Sequence, residues 1–387
     1  MADQQSSAPK HYDALDALRG LAALTVLGLH MVILSRHGYG VWYEGEPSQG
    51  ILENLFFRAP LGIIFQGYNA VILFFVLSGF VLSLPWIRQR PQPFHVFIVR
   101  RITRIYPPYL VAILGSFILL ALVGHHQRAD ASLWYNVQIW SGPFDIPTMA
   151  RILYMDTRNA FMDYPTWTIS WEVSVGIVFP LVMAPFKRWR AWGLLVSAGV
   201  VLVVAILVMK AGGLPAKVAK SGAVILWLFM LGAALACWAD RYASRAMEHW
   251  LLTTTLGLAG AFLLSFDWIS RPVSGLLCAP LGSMLVICAA VSSPAFIRLL
   301  STGWARWLGK ISFSLYLVHV PILSACLSLN LLPLKTTLVI GAVLSLLMAV
   351  PFNRWVEMPC QKLGRKLTRR GKPQPPKGPK GVQGVPG

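Results

Sequence analysis

Long apolar runs alternate with short polar stretches along almost the whole chain. A helix needs about 20 apolar residues to cross the roughly 30 Å hydrocarbon layer of a bilayer. Runs of that kind predict ten spanning helices, near residues 14–34, 67–87, 106–124, 167–186, 192–209, 221–239, 250–266, 273–292, 311–331 and 336–353. The expected fold class is an all-α polytopic membrane protein. Its transmembrane domain covers 14–366, between a polar N-terminus (1–13) and a basic tail (367–387). The N-terminus carries no small-residue cleavage signal, so no removable signal peptide is expected. The tail is rich in Pro and Gly and is expected to be disordered. Its glycines at 378, 381, 384 and 387 are too few for a collagen repeat.

Composition agrees. Of the 387 residues, 56% are apolar and 13% charged, where a soluble chain carries roughly 25% charged residues. A water-facing surface cannot be built from so little charge. The net charge of +19 comes from 34 Lys and Arg against 15 Asp and Glu. Such an excess can mark a nucleic-acid partner, but loop distribution explains it better and no nucleic acid is expected. With the N-terminus inside, the predicted inner segments hold 23 basic residues and the outer loops 10, Arg19 being the last. That bias puts both termini in the cytoplasm, although Lys210, Lys217 and Lys220 depart from it. The five cysteines form no CxxC pair and read as packing residues, so no metal site is expected. Trp42, Tyr43, Trp134, Tyr135 and Trp140, in the two long outer loops, read as interfacial anchors, with sugar stacking the alternative.

Ionisable residues inside spans carry the functional signal, because each costs roughly 2.5–3.5 kcal/mol on insertion scales. Span one holds Asp16, Arg19 and His30. Arg19 and His30 are eleven residues apart, which puts them on one helix face about 16 Å apart along the axis. Asp16 lies one turn from Arg19 and can pair with it. Span four begins TWTISWE, with Glu172 a turn or so below its outer end, and span nine carries His319. His30, Glu172 and His319 could therefore meet in one polar cavity. On spacing alone, Arg19 equally suits a headgroup contact, His30 a packing histidine, and Glu172 a helix-end role. Arg100, Arg101 and Arg104 precede span three. Their guanidinium groups suit a polyanion, or simply inside-facing topology.

Six strings combine these features: LDALRGLAALTVLGLH (15–30), FFVLSGFVLS (74–83), RRITRIYPPY (100–109), TWTISWE (166–172), LGKISFSLYLVHVPI (308–322) and RWVEMP (354–359). In this order the sequence resembles acyltransferase family three, the membrane O-acyltransferases typified by bacterial O-antigen and exopolysaccharide acetylases. The resemblance places the family's basic-x10-His motif on Arg19 and His30, and its R-x-x-R motif on Arg101 and Arg104. Its W-S-L-S-x-E motif falls on Trp167, Thr168, Ile169, Ser170 and Glu172. It implies His30 as catalytic base, aided by Glu172 or His319. Arg19, Arg100, Arg101 and Arg104 would bind donor phosphates, and Trp167 and Ser170 would contact substrate. The donor implied is cytoplasmic acyl-CoA, with acetyl-CoA the default. The acceptor implied is a hydroxyl of an exported or lipid-linked glycan. Membrane lipids and polysaccharide-assembly proteins are the expected partners, and the bacterial inner membrane the expected location.

Two departures stand out. Ala70, Val71 and Ile72 occupy positions where the family often has Gly-Val and a polar residue, and Val175 and Gly176 replace an aromatic pair after Glu172. They bear on the acceptor more than on the chemistry. The chain after 366 is too short for the extracytoplasmic hydrolase-like domain of many relatives, so any second transfer step is expected to need another protein. A glycan-lipid transporter using Arg19, Glu172 and His319 as a substrate or proton path is one rival reading, which no internal repeat supports; a non-catalytic membrane scaffold in a polysaccharide-assembly complex is the other.

Overall fold

In a computed structural model, residues 13–50, 53–55, 61–189, 192–193, 196–197, 199–201, 203, 207, 213–266 and 272–368 are described. Among them the chain is helical, with no strand beyond one isolated bridge. The long helices are α1 (Asp13–Ile33), α2 (Gly67–Ile87) and α3 (Phe94–Val123). Two short ones follow, α4 (Leu133–Gln138) and α5 (Ile146–Leu153). Then come α6 (Thr166–Trp189), α7 (Gly213–Ala246), α8 (Trp250–Leu264), α9 (Pro272–Ser292) and α10 (Pro294–Leu300). The last are α11 (Gly303–Leu329), α12 (Leu334–Phe352) and α13 (Met358–Leu367). Helices suit the apolar sequence because they satisfy every backbone N–H and C=O internally where water is absent.

Seven helical stretches are long and apolar enough to span a membrane. An 88° bend joining 277–292 to α10 gives an eighth if the pair is one span. The expected ten is larger for three reasons. Residues 221–264 form one 44-residue stretch, although a 3-10 turn at Met247–His249 divides it where two spans were expected. With 15 residues, α8 falls short of a full crossing. Span five and the basic tail from 369 lie largely or wholly outside the described residues, as do residues 1–12. Leu114, Leu122, Leu181, Leu251 and Leu347 are all more than half exposed, as lipid-facing side chains are. The cysteines are free and partly buried, in keeping with packing.

The centre of the bundle is α11, with 83% of its apolar window buried against at most 56% elsewhere. It packs on α1 through glycine. A Cβ on Gly20 would come within 2.5 Å of the Gly309 nitrogen, and one on Gly309 within 2.6 Å of the Asp16 carbonyl. Ten residues beyond Gly20 stands His30; ten beyond Gly309 stands His319, and the two imidazoles touch. Helices that meet at both points run parallel, as spans one and nine must in the ten-span topology.

The outer connector, residues 124–165, is folded into the bundle. Arg36 N donates to Asp130 O and Ser132 N to Leu34 O, which sews the connector to the end of α1. Arg128 holds Asp130 through paired 2.9 Å bonds and keeps that carboxyl below the usual carboxylate range. Trp134, Tyr135 and Trp140 are buried, which corrects their reading as interfacial anchors. Tyr135 bonds Ser328 on α11 at 2.9 Å, and the Trp140 indole donates to Ser116 on α3. Of the five aromatics only Tyr43 is well exposed. Tyr109 donates to Ile152 O at 2.6 Å and Ser116 to Met162 O, so residues 152–162 lie along α3.

This packing also sets the depth of Glu172 relative to α3. Ser116 is 15 residues, or about 22 Å, beyond Arg101 along α3. Met162 is level with it, so α6 starts below the outer rim. Ten residues further, Glu172 has descended to within reach of Arg101.

The glycine contact predicts that Gly309→Leu destabilises the protein by about 1–3 kcal/mol, the usual range for overpacking. A fall in the thermal unfolding midpoint of the detergent-solubilised chain checks it; an unchanged midpoint would show that α1 and α11 do not pack through glycine.

Candidate functional site

The end of the bundle where α1 begins holds a cavity of about 240 Å³ lined by Arg19, Arg100, Arg101, Arg104, Ser78, Gln92 and Glu172. Four cations from α1 and α3 thus face one space. Arg100 is held by Gln92 and by Thr368, just past α13, at 3.2 and 2.7 Å. Arg101 is buried; its Nη2 donates to the Glu172 carbonyl and lies 3.6 Å from the carboxylate. A Cβ at position 176 would strike the Arg101 guanidinium. The glycine that departs from the family pattern therefore lets Arg101 lie against α6. The Arg101 Nε is buried with no partner. Arg19 and Arg104 make no hydrogen bond or ion pair among the described residues, so the expected Asp16–Arg19 pair does not form.

A second cavity, about 30 Å³, lies against the first and shares Arg19 and Glu172 with it. Phe74, Thr168, Ser312 and Tyr316 also line it. It has room for a water or two. Beyond it the passage is shut. Thr168 gives its proton to Pro165 O at 3.0 Å, so the Tyr316 hydroxyl donates to Thr168, at 2.7 Å.

Past that bond lie the histidines. Tyr316 and His319 have ring centroids 5.9 Å apart, and His319 and His30 4.9 Å. A carbonyl only accepts, so His30 Nδ1 donates to Val26 O at 2.8 Å and His319 Nδ1 to Leu315 O at 3.0 Å. In the neutral pair His319 Nε2 then presents a lone pair to His30 Nδ1, 3.2 Å away. His30 Nε2 is left with a lone pair and no hydrogen-bond partner among the described residues, which is what a proton acceptor needs. On the outer side the Trp134 ring covers His30 at 5.6 Å, and Tyr164 meets Trp134 edge-on at 5.0 Å. His30 is 6% exposed and lines neither cavity. The arginine-lined cavity and the imidazoles are thus separated by the Tyr316–Thr168 contact.

His30 and His319 therefore meet, and so do Arg19, Arg100, Arg101, Arg104 and Glu172, but these are two clusters. Glu172 neutralises Arg101 and is not at the imidazoles. Trp167 and Ser170 line neither cavity. Ser170 is buried and spends its hydroxyl on Thr166 O in its own helix. Their motif neighbours Thr168 and Ile169 line the small cavity instead. The π turn Asn353–Glu357 buries Glu357, which Ser314, Asn353 and Gln361 saturate with hydrogen bonds. Its carboxylate lies within electrostatic reach of Arg104. Sequence reading missed this role, although Glu357 stands in one of the six strings. It also missed Tyr316, Trp134 and Asp163. Asp163 is fully buried with both carboxyl oxygens unpartnered, and only its place just before a helix could have marked it.

A family profile described as an acyltransferase domain matches residues 12–354, and the chain belongs to this family, acyltransferase family three. The acyltransferase MdmB of Streptomyces mycarofaciens is 27% identical over 168 residues, 43% of this chain and 38% of that protein. The O-acetyltransferase PaAT-1 of Phomopsis amygdali is 24% identical, over 80% of this chain and 72% of its own length. The peptidoglycan O-acetyltransferase OatA of Listeria monocytogenes is 22% identical, over 81% of this chain and 50% of its own. The chain thus spans half or less of the first and third of these relatives. No solved structure matches it.

The Arg101–Glu172 geometry predicts strong coupling. Glu172→Leu leaves a buried guanidinium without its counter-charge and should cost about 2–4 kcal/mol, discounted from a fully buried pair because Glu172 is partly exposed. Arg101→Leu with Glu172→Leu should cost less than the sum of the single changes. Thermal unfolding of the four proteins measures this; additive losses would show the two groups to be independent.

Proposed function

We propose that the chain is an integral-membrane O-acyltransferase that moves an acyl group, acetyl by default, from cytoplasmic acyl-CoA to a hydroxyl of an exported or lipid-linked glycan. The observation that carries this reading is the alignment of an arginine-lined cavity, a small cavity above it and a histidine pair along α1 and α11. Family membership supports acyl transfer, and the OatA relative, named a peptidoglycan O-acetyltransferase, supports a glycan acceptor in a bacterial plasma membrane. Polysaccharide-assembly proteins are the partners such an acceptor implies.

In this reading the donor's phosphates dock on Arg19, Arg100, Arg101 and Arg104. The fit rests on the four guanidinium groups that line one cavity, of which Arg19 and Arg104 have no hydrogen-bond or ion-pair acceptor among the described residues. Arginine suits phosphate because its planar fork donates two parallel hydrogen bonds. The pantetheine arm then enters by way of the small cavity, which must widen from its resting volume of about 30 Å³, and Tyr316 must leave Thr168 to let the thioester through. His30 Nε2 takes the acceptor hydroxyl's proton as the oxygen attacks the thioester carbonyl. The C–S bond breaks, the ester forms, and the proton passes to the departing thiolate. His319 positions His30 by accepting from its Nδ1. Glu172 serves the arginines and not the imidazole.

With radiolabelled acetyl-CoA and membranes containing the acceptor, His30→Ala should lower label in the glycan at least about 100-fold while inserting at the normal level. Full activity in that variant would remove His30 from the mechanism. Changing Arg101 and Arg104 to Ala should raise the half-saturating acetyl-CoA concentration by roughly tenfold or more. An unchanged dependence would reduce the cluster to a topology signal.

A further inference from the structure

Asp163 lies in the connector just before α6. It has zero exposure, and neither carboxyl oxygen has a hydrogen-bond partner among the described residues. Its surroundings are not apolar by default; their protons are committed elsewhere. Tyr109 donates to Ile152 O, Ser116 to Met162 O and Trp140 to Ser116. Thr166 donates from both N and Oγ1 to the Asp163 backbone carbonyl, not to its side chain. Tyr316 donates to Thr168, and Thr168 to Pro165. The carboxyl lies within electrostatic reach of the Tyr109 and Tyr316 hydroxyl groups but bonds to neither. Burial pushes this carboxyl well above the usual carboxylate range, which favours its protonated form.

A buried polar group without a partner is costly, typically by about 1–3 kcal/mol, and a fold that keeps one has a use for it. A neutral carboxylic acid offers one O–H donor and one C=O acceptor, the pair that a hydroxyl group matches. The location fits. Tyr164, the next residue, packs against Trp134, and Trp134 covers His30 from the outer side. Asp163 thus belongs to the segment that backs the Trp134 cover of His30.

We propose that Asp163 is a binding residue for the acceptor, exchanging hydrogen bonds with a hydroxyl of a sugar or similar polyol on the outer side of the His30–His319 pair. This rests on the acyl-transfer reading and adds to it a named contact on the acceptor side, separate from the donor arginines.

The test uses the purified full chain, radiolabelled acetyl-CoA and a soluble chitin oligosaccharide as probe acceptor. Asp163→Ala should raise the half-saturating oligosaccharide concentration at least about tenfold and leave that for acetyl-CoA within roughly twofold. Asp163→Asn keeps one donor and one acceptor in the same shape and should stay within about threefold of the unaltered chain for both. An unchanged oligosaccharide dependence in the Ala variant overturns the proposal. So does an equal rise for both substrates, an Asn variant as impaired as Ala, or an Ala variant that no longer accumulates in membranes, since each makes the residue structural or ionised. An unaltered chain that leaves the oligosaccharide unlabelled sinks the acyl-transfer reading and this proposal together. An active chain with an indifferent Ala variant sinks only the proposal.

Discussion

The contact between α1 and α11 is the constraint on which the rest of the molecule depends. Lipid tails are as apolar as leucine, so helices in a bilayer gain little by hiding apolar side chains and associate instead through close packing. Gly20 and Gly309 permit that approach near the inner end. Because the two helices run parallel, the same approach is carried ten residues upward to His30 and His319. Each imidazole donates Nδ1–H to a carbonyl one turn back in its own helix, Val26 and Leu315. The helices thus both deliver the rings and satisfy half of their polar requirement. What is left over, the Nε2 of His30, is the one nitrogen of the pair without a partner.

Charge is arranged around this axis by depth. Arg19 and the α3 arginines gather at the inner end, and the carboxylates that answer them come from opposite sides, Glu172 from α6 and Glu357 from the π turn after α12. Neither carboxylate consumes the cluster. Glu172 engages one guanidinium, and Glu357 spends its oxygens on Ser314, Asn353 and Gln361. The cavity therefore keeps a surplus of positive charge, with Arg19, Arg100, Arg101 and Arg104 facing one space. Arg19 lies about 16 Å below His30 along α1. A polyanion held there can present an acyl group to the imidazole only on a long, flexible arm.

The helices were legible because bilayer thickness imposes a run length that any sequence must respect; α1, α2 and α11 coincide with their predicted spans to within a few residues, or a few turns at the start of α11. The Arg19–His30 face was legible from helical period alone. Tertiary placement was not. Nothing in TWTISWE says that α6 begins below the outer rim, because that follows from Met162 and Ile152 being tied to α3. For the same reason Glu172 was grouped with the histidines and proved to belong to Arg101. Trp134, Tyr135 and Trp140 look like interfacial anchors in a linear reading. Only the fold shows the connector turned inward, with its aromatics as packing. Asp163 was invisible because an aspartate before a helix ordinarily signals a cap. Its meaning lies in the partners it lacks, which no sequence pattern records.

The closure of the site follows from the same inward-turned segment. Residues 163–168 hold both barriers. Tyr164 steadies Trp134 over His30 from outside, and Thr168 accepts the Tyr316 hydroxyl that bars the donor cavity from within. In the acyl-transfer reading proposed above, closure on both sides keeps water away from the thioester. The seal is not expensive to break: a single hydroxyl bond is worth about 0.5–1.5 kcal/mol net. One short stretch of backbone, from the unpartnered carboxyl to Thr168, spans the two barriers. The contacts that separate the imidazoles from the arginine-lined cavity and from the connector therefore rest on the packing of a single segment.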